Sequence, residues 1–118
     1  MLDKIISQLK TGRITNVVPY GSENTPAPPY IVVRPEADGL GRGTVYRIFV
    51  HMIPGQQIFL DDFVRGDLTD LLSDFHSTTR HGGYNRLFTE QQYGDIVVSN
   101  DDGTISMERR FLMPSLMF

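Results

Sequence analysis

The sequence predicts an α+β fold: a mainly antiparallel sheet of about four strands, with two helices packed on one face. Three observations lead there. Apolar residues change their period along the chain in the order helix, strand, strand, helix, strand, strand (α-β-β-α-β-β). Each pair of consecutive strands is joined by glycine-rich turn chemistry, which links antiparallel neighbours. The length is 118 residues with 40% apolar content, which suits a single domain over 1–118. A chain of that size buries roughly two-thirds of its unfolded surface and needs no staples.

The elements follow in order. Leu2, Ile5, Ile6 and Leu9 recur at three- and four-residue spacing, and Gly12 stands where a helix C-terminal cap belongs. A helix this short is marginal alone and must dock on something. Residues 19–29 (PYGSENTPAPP) hold four of the seven prolines and read as a semi-rigid loop. Tyr30 to Arg34 is β-branched and reads as a strand ending at Pro35. After the turn EADGLGRG, Thr44 to Ile53 is the strongest strand, with Tyr46, Ile48, Val50 and Met52 on one face. Val45, Arg47, Phe49 and His51 line its other face. Leu60 to about His76 keeps a helical period, with Asp61 and Asp62 expected in its first turn and Gly66 offering a close backbone approach. Residues 77–93 read as a long loop. Asp95 to Ser99 and Thr104 to Met113 flank Asn-Asp-Asp-Gly and form a closing hairpin.

Composition narrows the chemistry. There are no cysteines, so disulfides, thiolate zinc sites and thiol nucleophiles are excluded. The longest apolar run is Tyr30 to Val33, far short of the roughly 20 residues of a membrane helix. The opening residues turn polar too soon for a secretory signal, so a soluble intracellular protein without membrane attachment is expected. The formal net charge of −3 argues against a dedicated duplex-DNA binder. The three histidines, His51, His76 and His81, fit no standard zinc spacing and read as surface or loop residues. The glycine-rich segment at 39–43 precedes a strand rather than a helix, so a phosphate-cradling role fails on context. No cofactor, metal or catalytic residue is expected.

Two features suit an assembling protein. The second and fourth strands are apolar or aromatic on both faces, where an antiparallel sheet with one wet face alternates cleanly. The final residues, Pro-Ser-Leu-Met-Phe, are apolar. Arg47, Phe49, Arg109, Phe111, Leu116, Met117 and Phe118 are therefore the expected interface residues. Arg109 and Arg110 must point to opposite faces. Asp67, Asp70 and Asp74 form an acidic stripe on the long helix, either a solvated face or one turned to a partner or lumen. Arg80, Tyr84, Arg86 and Phe88 make the 77–93 loop a basic-aromatic cluster, a candidate for weak nucleic-acid contact.

The pattern as a whole resembles the tail terminator (tail completion, or tail-to-head joining) proteins of long-tailed bacteriophages. The resemblance runs through the short opening helix, the segments PAPPYIVVRPE and TVYRIFVHMIPG, the helix IFLDDFVRGDLTDLLSDF and the closing hairpin DIVVSNDDGTISMERRFLMP. It implies a non-enzymatic structural virion protein, typically a ring of six subunits on the end of the tail tube. Such a ring ends tube polymerisation and presents a surface to the head–tail connector proteins. Its partners would be further copies of itself, the tail tube protein, the connector and genome DNA that passes through the lumen without specific binding. Assembly in host cytoplasm is expected. Two other readings compete: a head-side neck (head-completion or stopper) protein, and a small nucleic-acid-binding module using loop 77–93.

Overall fold

The computed structural model describes residues 2–23, 25–37, 39–41, 43–72, 89–90 and 97–114. It has the α+β class expected, with one mostly antiparallel sheet and helices on one of its faces. The elements are helix α1 (Leu2–Leu9), strands β1 (Val17–Pro19), β2 (Tyr30–Ala37) and β3 (Gly43–Met52), then a 3₁₀ turn Pro54–Gln56 leading into helix α2 (Gln57–Asp62). A π-turn (Phe63–Asp67) and further helix to residue 72 continue α2. Strands β4 (Thr89–Glu90), β5 (Val97–Ser99) and β6 (Ile105–Pro114) complete the sheet.

The sheet order is β1-β2-β3-β6-β4, with β5 also paired to β6. The long antiparallel β2–β3–β6 ladder is its centre. Four of these strands are those expected from the sequence, and two short ones were not. β1, inside a stretch that reads as loop, pairs parallel with β2. β4, inside the expected 77–93 loop, pairs antiparallel with β6.

β2 runs through Pro35 to Ala37 rather than stopping before the proline. The reason lies in the ladder. Ile31 donates its N–H to Asn16, and Val33 accepts from Tyr20, so the odd-numbered backbone groups of β2 face β1. Pro35 shares that side but lies past the end of β1, so its missing N–H removes no ladder bond.

The core lies between the helices and one sheet face. Ile5 and Leu9 of α1, together with Leu60, Phe63, Val64, Leu68 and Leu72, bury against Ile31, Val33, Tyr46, Ile48, Val50, Met52, Met107 and Phe111. Each such side chain contributes roughly 1.5–3 kcal/mol by leaving water. Leu68 donates its N–H to the Phe63 carbonyl five residues back, which is the mark of the π-turn. In an unbroken α-helix each four-residue step drifts about 40°, so Leu60, Val64, Leu68 and Leu72 would spiral off the sheet. The wider turn returns Leu68 and Leu72 to the buried face.

Three expectations for the helices are corrected. Because α2 begins at Gln57 after a 3₁₀ turn, Asp61 and Asp62 close the segment instead of opening it, and Asp61 pairs with Arg65 at 2.9 Å. Gly66 has no close neighbour: a Cβ there would meet nothing within 4 Å. The close approach is at Gly12, where a Cβ would sit 2.5 Å from Leu71 Cδ1. Gly12 is thus small so that the long helix can pack over the end of α1, and it is not among the glycines with left-handed backbone.

Gly103 does need that conformation, with φ of +85°. It closes the three-residue turn between β5 and β6, where Asn100 and Thr104 still exchange a ladder bond. Asp102 Oδ1 accepts from both the backbone N–H and the hydroxyl of Thr104, at 3.0 and 2.6 Å. Those two bonds hold its carboxyl below the usual carboxylate range.

Candidate functional site

Strand alternation and the observed register decide which side chains meet on the face away from the helices. Four cross-strand rows line up on it: Tyr30–His51–Ser106, Val32–Phe49–Glu108, Arg34–Arg47–Arg110 and Glu36–Val45–Leu112. A row of three arginines in directly opposed positions is unfavourable by itself. Glu36 and Glu108 resolve it. Arg47 donates from Nε and Nη2 to both oxygens of Glu108, at 2.7 and 2.9 Å, and from Nη1 to Glu36 at 2.9 Å. Arg110 Nε reaches Glu108 at 2.6 Å, and Arg34 Nε lies 3.2 Å from Glu36.

The fork-on-fork pair with Glu108 has charge-assisted geometry, and the Glu108 side chain is only 9% exposed. Its bonds, and after them those of Glu36, hold the Arg47 guanidinium protonated more firmly than usual. The same guanidinium lies 5.0 Å from the centre of the Phe49 ring, and Arg34 lies 4.4 Å over Tyr20. The face is therefore a lattice of ion pairs inlaid with aromatic rings, neither wet nor dry.

The proline-rich loop stands beside this lattice and makes it a groove of about 510 Å³. Val18 to Ser22 and Thr25 form one wall, the first three rows without Arg110 form the floor, and Asn100 of the hairpin turn closes one end. At that end His51 stacks on Tyr30, with ring centres 4.7 Å apart and planes 8° from parallel. His51 Nδ1 is buried and finds no hydrogen-bond partner among the described residues. Burial lowers the His51 pKa below its ordinary 6.5, with Asp102 opposing weakly. Burial, and then Asp102, raises that of Tyr30. His51 is thus a half-buried groove residue and not the surface or loop histidine expected.

The expected interface residues divide. Arg47 and Phe49 lie on this face, half-buried. Phe111 does not: it is 1% exposed beside core Tyr46, because its strand parity turns it to the helices. Arg109 is also on the helix side. Its Nη1 donates to the carbonyls of Val64 at 2.6 Å and Arg65 at 3.3 Å, and its Nη2 to Thr69 Oγ1 at 3.1 Å. These acceptors belong to the π-turn and the turn after it, where the α-helical bond pattern is broken. Arg109 is a brace between sheet and helix. Arg109 and Arg110 do point to opposite faces.

Asp67 and Asp70 are exposed on the helix. Asp74, the loop residues Arg80, Tyr84, Arg86 and Phe88, and the tail residues Leu116, Met117 and Phe118 lie outside the described residues, as do His76 and His81. Among the described residues no three His, Asp or Glu side chains converge as metal ligands, and no helix is long and apolar enough to cross a membrane.

Sequence reasoning missed Asn100, the Glu108 clamp and two larger features. Tyr20 and the loop around it wall the groove, which no local pattern announces. Ile58 and Phe59 are 84% and 74% exposed. Their signal was present as an apolar pair ahead of Leu60, hidden by starting the helix one turn late. No family model matches the chain, and no curated protein matches it at a significant level.

Proposed function

We propose that this chain is a structural virion protein that closes the end of a long phage tail tube as a ring of identical subunits. In that role it ends tube polymerisation and presents the surface on which the head connector docks; it is not an enzyme. The observation that carries the reading is the second sheet face. Val32 and Phe49 are half-buried there among paired arginines and glutamates, in a groove open to a partner. Most core apolar residues lie on the helix side, so the half-buried Val32 and Phe49 on this face suit contact with another surface.

The ion-pair lattice bears on the competing readings. The arginines of this face are matched to Glu36 and Glu108. Guanidiniums engaged in that way make a poor phosphate-binding track, so this face favours protein contact; the nucleic-acid reading concerns loop 77–93, whose basic and aromatic residues lie outside the described ones. Exposed Asp67 and Asp70 suit a surface past which DNA slides without sticking.

The test is deletion of the gene in the phage that carries it, with electron microscopy of the lysate. Tails of uncontrolled length are the expected result. Finished tails beside DNA-leaking heads would move the protein to the head side of the neck. Normal virions would overturn both assignments.

A further inference from the structure

Among the described residues no strand lies outside β1, so β1, and β2 where it runs on past β1, form one margin of the sheet. A margin of unpaired N–H and C=O groups is a template on which a strand of another chain can add. In an added antiparallel strand, every second residue of the margin exchanges both an N–H and a C=O bond with the newcomer.

The register identifies the residues that would make those bonds. Asn16 accepts from the Ile31 N–H at 2.8 Å and Tyr20 donates to Val33 at 2.9 Å, so the even-numbered residues of β1 turn inward to β2. Val17 and Pro19 therefore turn their backbone groups outward. On β2 the odd-numbered residues face the same margin, and those beyond the end of β1 are Pro35 and Ala37. Each stretch thus alternates one ordinary residue with one proline, which has no N–H to offer. The Pro19 carbonyl is occupied as well, accepting from the Ser22 N–H at 3.2 Å in the turn that follows. Neither stretch holds two successive outward residues with both groups to give. Pro19, Pro35 and Ala37 are exposed, so burial does not protect this margin. Proline is otherwise depleted in strands, and an outward edge position is where it does the ladder no harm.

We infer that Pro19 and Pro35 close this margin to strand addition, so that other chains meet the protein through side-chain surfaces and not by extending its sheet. The device acts against the backbone pairing that would join copies edge to edge without limit. It goes beyond the ring reading and does not depend on it, since it holds equally for a ring, a neck protein or a single chain.

Amide hydrogen exchange and native mass test it together. In the unmodified protein the Ala37 amide should exchange as an unpaired group at low and at high concentration alike. Pro35→Thr and Pro19→Val return the missing donors at exposed strand positions. The double variant should keep the circular dichroism of the original and form species heavier than any the unmodified protein forms at the same concentration. In those species the restored amide at position 35 and that of Ala37 should be protected. Pro35→Thr alone, which lies beyond β1 and leaves that pairing untouched, gives the same two readouts should the double variant not fold. A folded variant with unchanged native mass overturns the inference. So does an Ala37 amide that becomes protected in the unmodified protein as its concentration rises, because this margin would then be an interface; a ring formed with that amide still exposed leaves both readings standing.

Discussion

The two faces of the central β2–β3–β6 ladder use the same backbone for different ends. On the helix side, Val33, Ile48, Val50, Met107 and Phe111 are essentially inaccessible, and the one guanidinium there, Arg109, spans from sheet to helix carbonyls. On the other side, no fully apolar row forms: Phe49 sits between Arg47 and His51, and charge is matched by charge. The comparison teaches that alternation alone does not separate inside from outside in this chain. Both faces of β3 are rich in apolar residues, and what distinguishes them is whether polar partners are interleaved. The helix side is organised to fold the chain, and on the function proposed above the groove side meets another surface.

Breaking each face in turn sharpens the contrast. Phe63→Ala removes a fully buried ring from the helix side and should cost about 3–5 kcal/mol in urea denaturation, the largest effect expected. Arg109→Met keeps the aliphatic stem but strips hydrogen bonds from the carbonyls of Val64 and Arg65. It should cost about 1–3 kcal/mol and increase amide exchange across residues 63–69.

Glu108→Gln tests the groove side. It leaves Arg47 and Arg110 opposed without their shared carboxylate, and should cost about 1–2 kcal/mol, with half-exposed Arg110 discounted for solvent screening. The loss should grow at low salt, where opposed guanidiniums repel more strongly. A salt-independent loss would mean that Glu108 acts by packing alone.

Smaller still is the titration of His51. Its folded pKa lies below 6.5, so the unfolded chain takes up the proton first. Stability linked to this group is therefore complete above about pH 6.5 and falls as pH drops through that value toward the folded pKa. Thermal melts between pH 7.5 and 5.5 should show a decline that His51→Phe reduces. Equal declines in the two proteins would place the proton elsewhere.

Much of the fold was legible because its signals are local. The alternation of 44–53, the Asn-Asp-Asp-Gly turn and the period of the long helix each act within a few residues, and the class followed from their order. What escaped depends on distant parts of the chain. β1 exists as a strand because Ile31 and Val33 offer it an edge; its three residues carry no pattern of their own. The π-turn is required by the register of Leu68 and Leu72 over the sheet, and Gly66, the visible oddity nearby, only marks its place. Phe111 and Arg109 were misread because apolar and basic residues on β6 suggest surface contact until strand parity assigns them to the helices. At the groove, Arg47 and Phe49 could be chosen from the sequence as unusual neighbours. Tyr20, Asn100 and the Glu108 clamp could not, since they converge only through pairing across the sheet.

The account's central claim is that the groove face serves self-assembly, and native mass measured across a concentration series, with negative-stain images of the large species, tests it most directly. A closed ring of uniform copy number that dissociates on dilution is the result expected. A single-chain mass at every concentration, with the groove intact and the protein folded, would contradict it.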